Sequence, residues 1–147
     1  RGGAYPRAIA THRPGLRIVQ RACPLFVALA EEGWTDGPIA EAAARRYLEP
    51  LFTGADAPDT LLLGCTHFPA LLAPIRRAVG PAVTLVDSAQ TTARATASRL
   101  AAPRLARTGG IRRPQALGTG GPGPVARVGS LFAGEPIPAE DVELVDL

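Results

Sequence analysis

Leu61-Leu62-Leu63-Gly64-Cys65-Thr66-His67-Phe68-Pro69 is the stretch on which the reading of this chain turns. A short apolar run breaks at a glycine and then presents a thiol, a hydroxyl and an imidazole in consecutive positions. Buried strands of α/β proteins end at a sheet rim where ligands bind, so the pattern predicts a strand delivering chemistry to such a rim. Polar triplets also follow strands in ordinary loops, and a lone cysteine is often a small packed hydrophobe. The spacing by itself leaves both readings open.

The surrounding sequence supplies the sheet. Thr60 to Gly64 and Val83 to Val86 read as short continuous apolar strands, the pattern of a parallel sheet buried on both faces. Between them, Leu71, Leu72, Ile75 and Val79 keep a helical period, with Pro74 confined to the first turn and Gly80-Pro81 as the stop. Asp87-Ser88 caps a helix running to about Leu100. Upstream, Asp36 and Pro38 start a helix whose apolar face holds Ile39, Ala43, Tyr47 and Leu51, limited by Pro50. Leu16 to Arg21 alternates apolar and polar residues after Pro14-Gly15 and predicts a further strand. Leu25 to Ala30 fits either a strand or a short buried helix. Alternating strands and helices imply right-handed crossovers in a parallel sheet. Residues 101–124 carry arginine, glycine and proline without an apolar period and read as a connection. Val125 to Leu147 reads as a helix around Val128, Leu131 and Phe132, then a strand near Val142 to Val145.

Taken with its neighbours, the central stretch resembles the second cysteine motif of glutamate racemases, in the aspartate/glutamate racemase family. The run LLLGCTHFPALLAPI followed by VTLVDSA carries the likeness. Ala22-Cys23-Pro24-Leu25-Phe26-Val27 through Ala30-Glu31-Glu32-Gly33 is similar to the family's Cys-Pro-x-Phe-Val segment and the acidic residue after it. Gly3-Ala4-Tyr5-Pro6 and the tail from Leu131 to Leu147 also match, in order. The resemblance covers this chain but only about the second half of the family's pattern, and the chain begins at Arg1 and contains no methionine. The expectation is a carboxy-terminal portion, inactive alone.

The resemblance implies a flavodoxin-like, parallel-sheet racemase domain over residues 1–100. A connection at 101–124 and a tail at 125–147 returning to an amino-terminal domain complete the expected organisation. It further implies interconversion of L- and D-glutamate without a cofactor, by two cysteines on opposite faces of the α-carbon, supplying D-glutamate for peptidoglycan in the cytoplasm. Cys65 would be the second of those cysteines, with His67 as its catalytic partner. Thr66 and Glu31 would serve substrate binding, and the full-length protein would be a homodimer. Phe68 stands where tyrosine is usual, and Ala89 where glycine is usual. Another racemase of the same family, or a noncatalytic protein on the same fold, are the alternatives.

Composition narrows the partners. No apolar run reaches the roughly 20 residues that span a bilayer, so no membrane segment is expected. All 16 basic residues are arginine, and the net charge is +3. Arg45-Arg46, Arg76-Arg77 and Arg112-Arg113 are isolated pairs, the first two on predicted solvent faces, so no nucleic-acid surface is expected. Without lysine these residues offer no Schiff-base or phosphate-loop amine. Two cysteines, Cys23 and Cys65, are too few for a disulfide scaffold and point to a reducing compartment. Cys65 and His67 are the only close ligand pair, with His12 and Cys23 giving no second, so no metal is expected.

Overall fold

A computed structural model of the chain describes residues 3–101 and 115–146. The first helix, α1 (Ala4–His12), was not anticipated from the sequence; it starts with Pro6 in its first turn and buries none of its residues. Residues 16–23 then run without strand pairing, against the expected strand at Leu16–Arg21. Leu16 and Val19 are each about half exposed, at 54% and 52%. Alternation specifies a strand only where a neighbour completes the ladder, and among the described residues no strand lies alongside.

Helix α2 (Pro24–Glu31) resolves the ambiguous Leu25–Ala30 run in favour of helix, with Pro24 at its first position. Its end is closed by Gly33, whose φ of +74° costs little only for glycine. Gly33 N–H donates to Ala30 O and Trp34 N–H reaches back to Leu29 O. Helix α3 (Pro38–Leu48) follows, with Asp36 accepting from Gly37 N–H, and Pro50 falls in the 3₁₀ turn Glu49–Leu51 after it.

Strands β1 (Thr60–Leu63) and β2 (Thr84–Asp87) pair in parallel, with Leu63 opposite Asp87. Their ends therefore coincide at one sheet edge. Leu63 is buried but Leu62 is exposed, so β1 is covered on one face, not on both as its continuous apolar run suggests. Between the strands, a 3₁₀ turn (Phe68–Leu71) leads into α4 (Leu72–Val79), with Pro74 in its first turn and Gly80 at its end. Arg76, expected on the solvent face, is half-buried instead. Its Nη1 donates to Gly80 O and Val83 O at 2.9 and 2.5 Å, holding the α4–β2 turn.

The core lies between β1 and the helices α2, α3 and α4. Phe26, Leu71 and Ile75 are essentially inaccessible, joined by Ala40, Ala44, Leu48 and Leu63. Phe26 meets Tyr47 and Phe68 edge-to-face, each at 5.3 Å between ring centroids, the geometry aromatic quadrupoles favour. After β2, α5 (Ser88–Leu100) is capped as expected by Asp87, whose Oδ1 accepts from Gln90 N–H at 2.8 Å.

The remaining residues form a second small unit. Part of the expected connection, 102–114 with Arg112-Arg113, lies outside the described residues. From its end, β3 (Ala116–Gly118) pairs in parallel with β4 (Val142–Leu144), and α6 (Pro122–Ala133) packs over the pair. Regular structure thus starts inside the Gly/Pro-rich segment, with prolines in the first turn of α6, where they are tolerated.

Candidate active site

Strand β1 ends at Leu63, and the chain turns through Gly64-Cys65-Thr66-His67 before the 3₁₀ turn begins. Two contacts fix that turn. Phe68, next to His67, plants its ring against Phe26 in the core. On the other side, the Tyr5 ring from α1 lies over Gly64; a Cβ there would stand 2.9 Å from Tyr5 Cε2. This approach, not the backbone angles, is what favours glycine at 64: a side chain there would have to displace the Tyr5 ring.

All four residues singled out from the sequence come together here. Cys65 Sγ lies 3.8 Å from His67 Nδ1, and Thr66 Oγ1 lies 3.4 Å from the same nitrogen. The opposite ring nitrogen, Nε2, sits 2.5 Å from Glu31 Oε1. Glu31 is the last residue of α2, which packs on the 3₁₀ turn after His67. The imidazole is one-quarter exposed and the carboxylate somewhat under half, so the line of groups is reachable from solvent without being fully hydrated.

The chemistry of this line follows from donor and acceptor roles. An ionised Glu31 only accepts, so it takes the Nε2–H of His67. A neutral imidazole then presents a bare Nδ1 to the Cys65 thiol and the Thr66 hydroxyl. It can take a proton from the thiol and become an imidazolium held between thiolate and carboxylate, the arrangement that activates nucleophilic and basic thiols.

Cys23 does not join them. It is buried, its Sγ faces Arg21 O at 3.7 Å, and burial raises its thiol pKa, opposed by the Arg21 charge. Asp87 sits on the same sheet edge but spends a carboxylate oxygen on the α5 cap. Among the described residues, no group of three or more His, Cys, Asp or Glu is placed to hold a metal ion, and no helix is long and apolar enough to cross a membrane. Two contacts escaped the sequence reading. Tyr5 carried no signal beyond its matched segment. Arg127 of α6 donates from Nη2 to Glu31 O at 2.7 Å across 96 residues, a separation that no local pattern reveals.

With this geometry established, the fold is that of an aspartate/glutamate racemase-type α/β domain. The chain is similar to the carboxy-terminal portion of glutamate racemases, as its motifs suggest. It is 50% identical to glutamate racemase of Geobacter metallireducens over 107 residues, 73% of this chain and 39% of that protein. Against the Chlorobaculum tepidum glutamate racemase it is 39% identical over 145 residues, 98% of this chain and 52% of the relative. Among solved structures, glutamate racemase from Thermus thermophilus in complex with beta-chloro-D-alanine superimposes with a TM-score of 0.76 at 39% identity, covering 99% of this chain and 52% of that one. The Francisella tularensis enzyme in complex with D-glutamate gives 0.79 at 26% identity, with the same coverages. No family model matches. The chain spans about half the length of the relatives it matches over its whole extent.

Proposed function

We propose that this chain forms one wall of a glutamate racemase site, completed in the whole protein by an amino-terminal domain. The observation that carries this reading is the line Glu31–His67–Cys65 at the end of β1, reachable from solvent. Cys65, as thiolate, removes the α-proton of glutamate from one face, and a thiol on the opposite wall returns a proton to the other. No atom is gained or lost, and running the step from the other side converts D- to L-glutamate. His67 takes the Cys65 proton before the step, with Glu31 holding the ring in the tautomer that can do so. The Thr66 backbone N–H donates to a substrate carboxylate, and its hydroxyl either donates to that carboxylate or accepts from the substrate ammonium. No cofactor is required by this scheme.

The second base must come from outside these residues, because Cys23 is buried against its own backbone. The chain alone is therefore expected to be inactive. The tail at 125–147 is expected to return to the amino-terminal domain, which would cover Leu131, Phe132 and Leu144, exposed by 42, 47 and 60%. Supply of D-glutamate to peptidoglycan, a cytoplasmic location and a homodimer complete the proposal.

Solvent-deuterium incorporation at the α-carbon of L- and D-glutamate tests it, with the chain extended at its amino terminus. The extended protein should exchange and invert both enantiomers. Cys65→Ala should lower that rate by at least about 100-fold, the scale of a lost general base. Exchange with a different acidic amino acid would move the assignment to a sister racemase. A folded extended protein that exchanges none of them would sink the enzymatic reading.

A further inference from the structure

We propose that Arg127 is a positioning residue for Cys65: it couples the tail helix α6 to the Glu31–His67 pair by holding the backbone from which Glu31 reaches the imidazole. The inference rests on the proton-relay reading above. It starts from the carbonyls at the end of α2, each of which needs a partner. Glu32 N–H takes Ala28 O, Trp34 N–H takes Leu29 O, and Gly33 N–H takes Ala30 O. The last carbonyl, Glu31 O, receives Arg127 Nη2 at 2.7 Å.

Charge reinforces the placement. The carboxyl end of a helix favours a cation, and the last turn of α2 contains no basic residue of its own. Arg127 provides that cation from another element. The same residue, Glu31, therefore has its carbonyl tied to α6 and its carboxylate tied to His67 Nε2 at 2.5 Å. Freeing the carbonyl loosens the end of α2, and the carboxylate loses its fixed aim at the ring.

Helix α6 is itself held firmly enough to serve as an anchor. The Val125 side chain fills the space over Gly118 of β3, where a Cβ would stand 2.8 Å from Val125 Cγ2. Ser130 Oγ accepts from Ile137 N–H at 2.8 Å, and Ala126 is buried. Thus the position of Arg127 reports how the tail unit sits against α2. A rearrangement of the tail would reach His67 through this side chain and the Glu31 carbonyl it holds.

The test uses the chain itself and the rate at which iodoacetamide alkylates Cys65, followed by mass spectrometry of its peptide. The quantity read is the rate at pH 7 divided by the rate at pH 10, where thiols are ionised with or without a partner. The thiol faces His67 at 3.8 Å on its own loop, with Glu31 of α2 behind the ring; Tyr5 of α1 lies against Gly64 and Asp87 of β2 pairs with Leu63 beside the same loop, and Arg127 of α6 binds Glu31 O. Arg127→Ala should lower the ratio about three- to tenfold, the scale of a lost hydrogen bond. Arg127→Lys should restore most of it, since one N–H donor and one charge suffice at this carbonyl. Glu31→Gln should lower the ratio as well, and the double variant Glu31→Gln/Arg127→Ala should fall no further than Glu31→Gln alone. If Glu31→Gln changes the ratio and a folded Arg127→Ala does not, the coupling is refuted while the relay stands. If Glu31→Gln leaves the ratio unchanged, relay and coupling fall together. A loss that Arg127→Lys does not recover would reduce Arg127 to a packing role and overturn the proposal.

Discussion

Helices α3 and α5 are both well specified by their local sequence, yet only one is part of the core. Proline opens α3, and Ala40, Ala43, Ala44 and Leu48 line its buried face against α4. Helix α5 has a better side-chain cap, from Asp87 to Gln90, but buries none of its residues. Capping and propensity decide where a helix starts and stops. Tertiary burial decides whether it persists, because isolated helices of this length are marginal in water. The site belongs to the α3 side of this contrast: Phe68 and α2 anchor it to the core, while α5 leads away from Asp87 with every residue exposed.

The largest expected effect lies in that core. Phe26 is 1% exposed and contacts both Tyr47 and Phe68. Phe26→Ala removes the ring that both partners pack on and should cost about 3–5 kcal/mol, read as a fall in the urea midpoint. Phe68 loses its support in the same variant, so the Cys65 and His67 loop should loosen before the global transition. Loss of less than about 1 kcal/mol would mean that the core closes over the gap and is not what holds the site.

A smaller effect separates the two helices directly. Asp87→Ala removes the cap of α5, worth about 1 kcal/mol to the helix. Because α5 buries nothing, that cost should appear as faster amide exchange confined to Ser88–Leu100, with the urea midpoint almost unmoved. Equal protection of α3 and α5 in the wild-type chain would break the contrast. Protection of α5 that rises only in the amino-terminally extended protein would sharpen it, by naming what covers the helix there.

The same division governs what could be read from the sequence. Elements with local punctuation were legible: Pro38 and Pro50 around α3, Gly80-Pro81 after α4, and Asp87-Ser88 before α5. Leu16–Arg21 was not, because alternation is a property of the segment whereas a ladder needs a second one. Arg76 looked like a surface charge, since helical period places it outward while its long side chain folds back onto Gly80 O and Val83 O. In the site, Cys65, Thr66 and His67 announced themselves by adjacency. Glu31 stood 36 residues away from His67, and only family resemblance connected them before the geometry did. Arg127 had neither kind of signal.

The smallest predicted effect concerns a bond that ties α3 to α4 at the surface. Asp36 accepts from Gly37 N–H at 2.7 Å and pairs with Arg77, which also binds Glu41 at 2.9 Å. The Gly37 hydrogen bond, followed by that from Arg77, holds the Asp36 carboxyl below its ordinary value of 3.8. A carboxyl whose folded pKa is depressed contributes stability that is complete above the unfolded value and is lost as pH falls through the folded one. The loss should therefore begin below about pH 4 and grow with further acidification. Asp36→Asn keeps an acceptor for Gly37 N–H but cannot be protonated there. Urea midpoints at neutral pH should differ little between variant and wild type, because the group is exposed and surface pairs contribute little. Near pH 3 the wild type should have lost slightly more than the variant. Identical acid slopes would show that Arg77 is held by Glu41 alone, and that α3 and α4 depend on their buried faces without help from this pair.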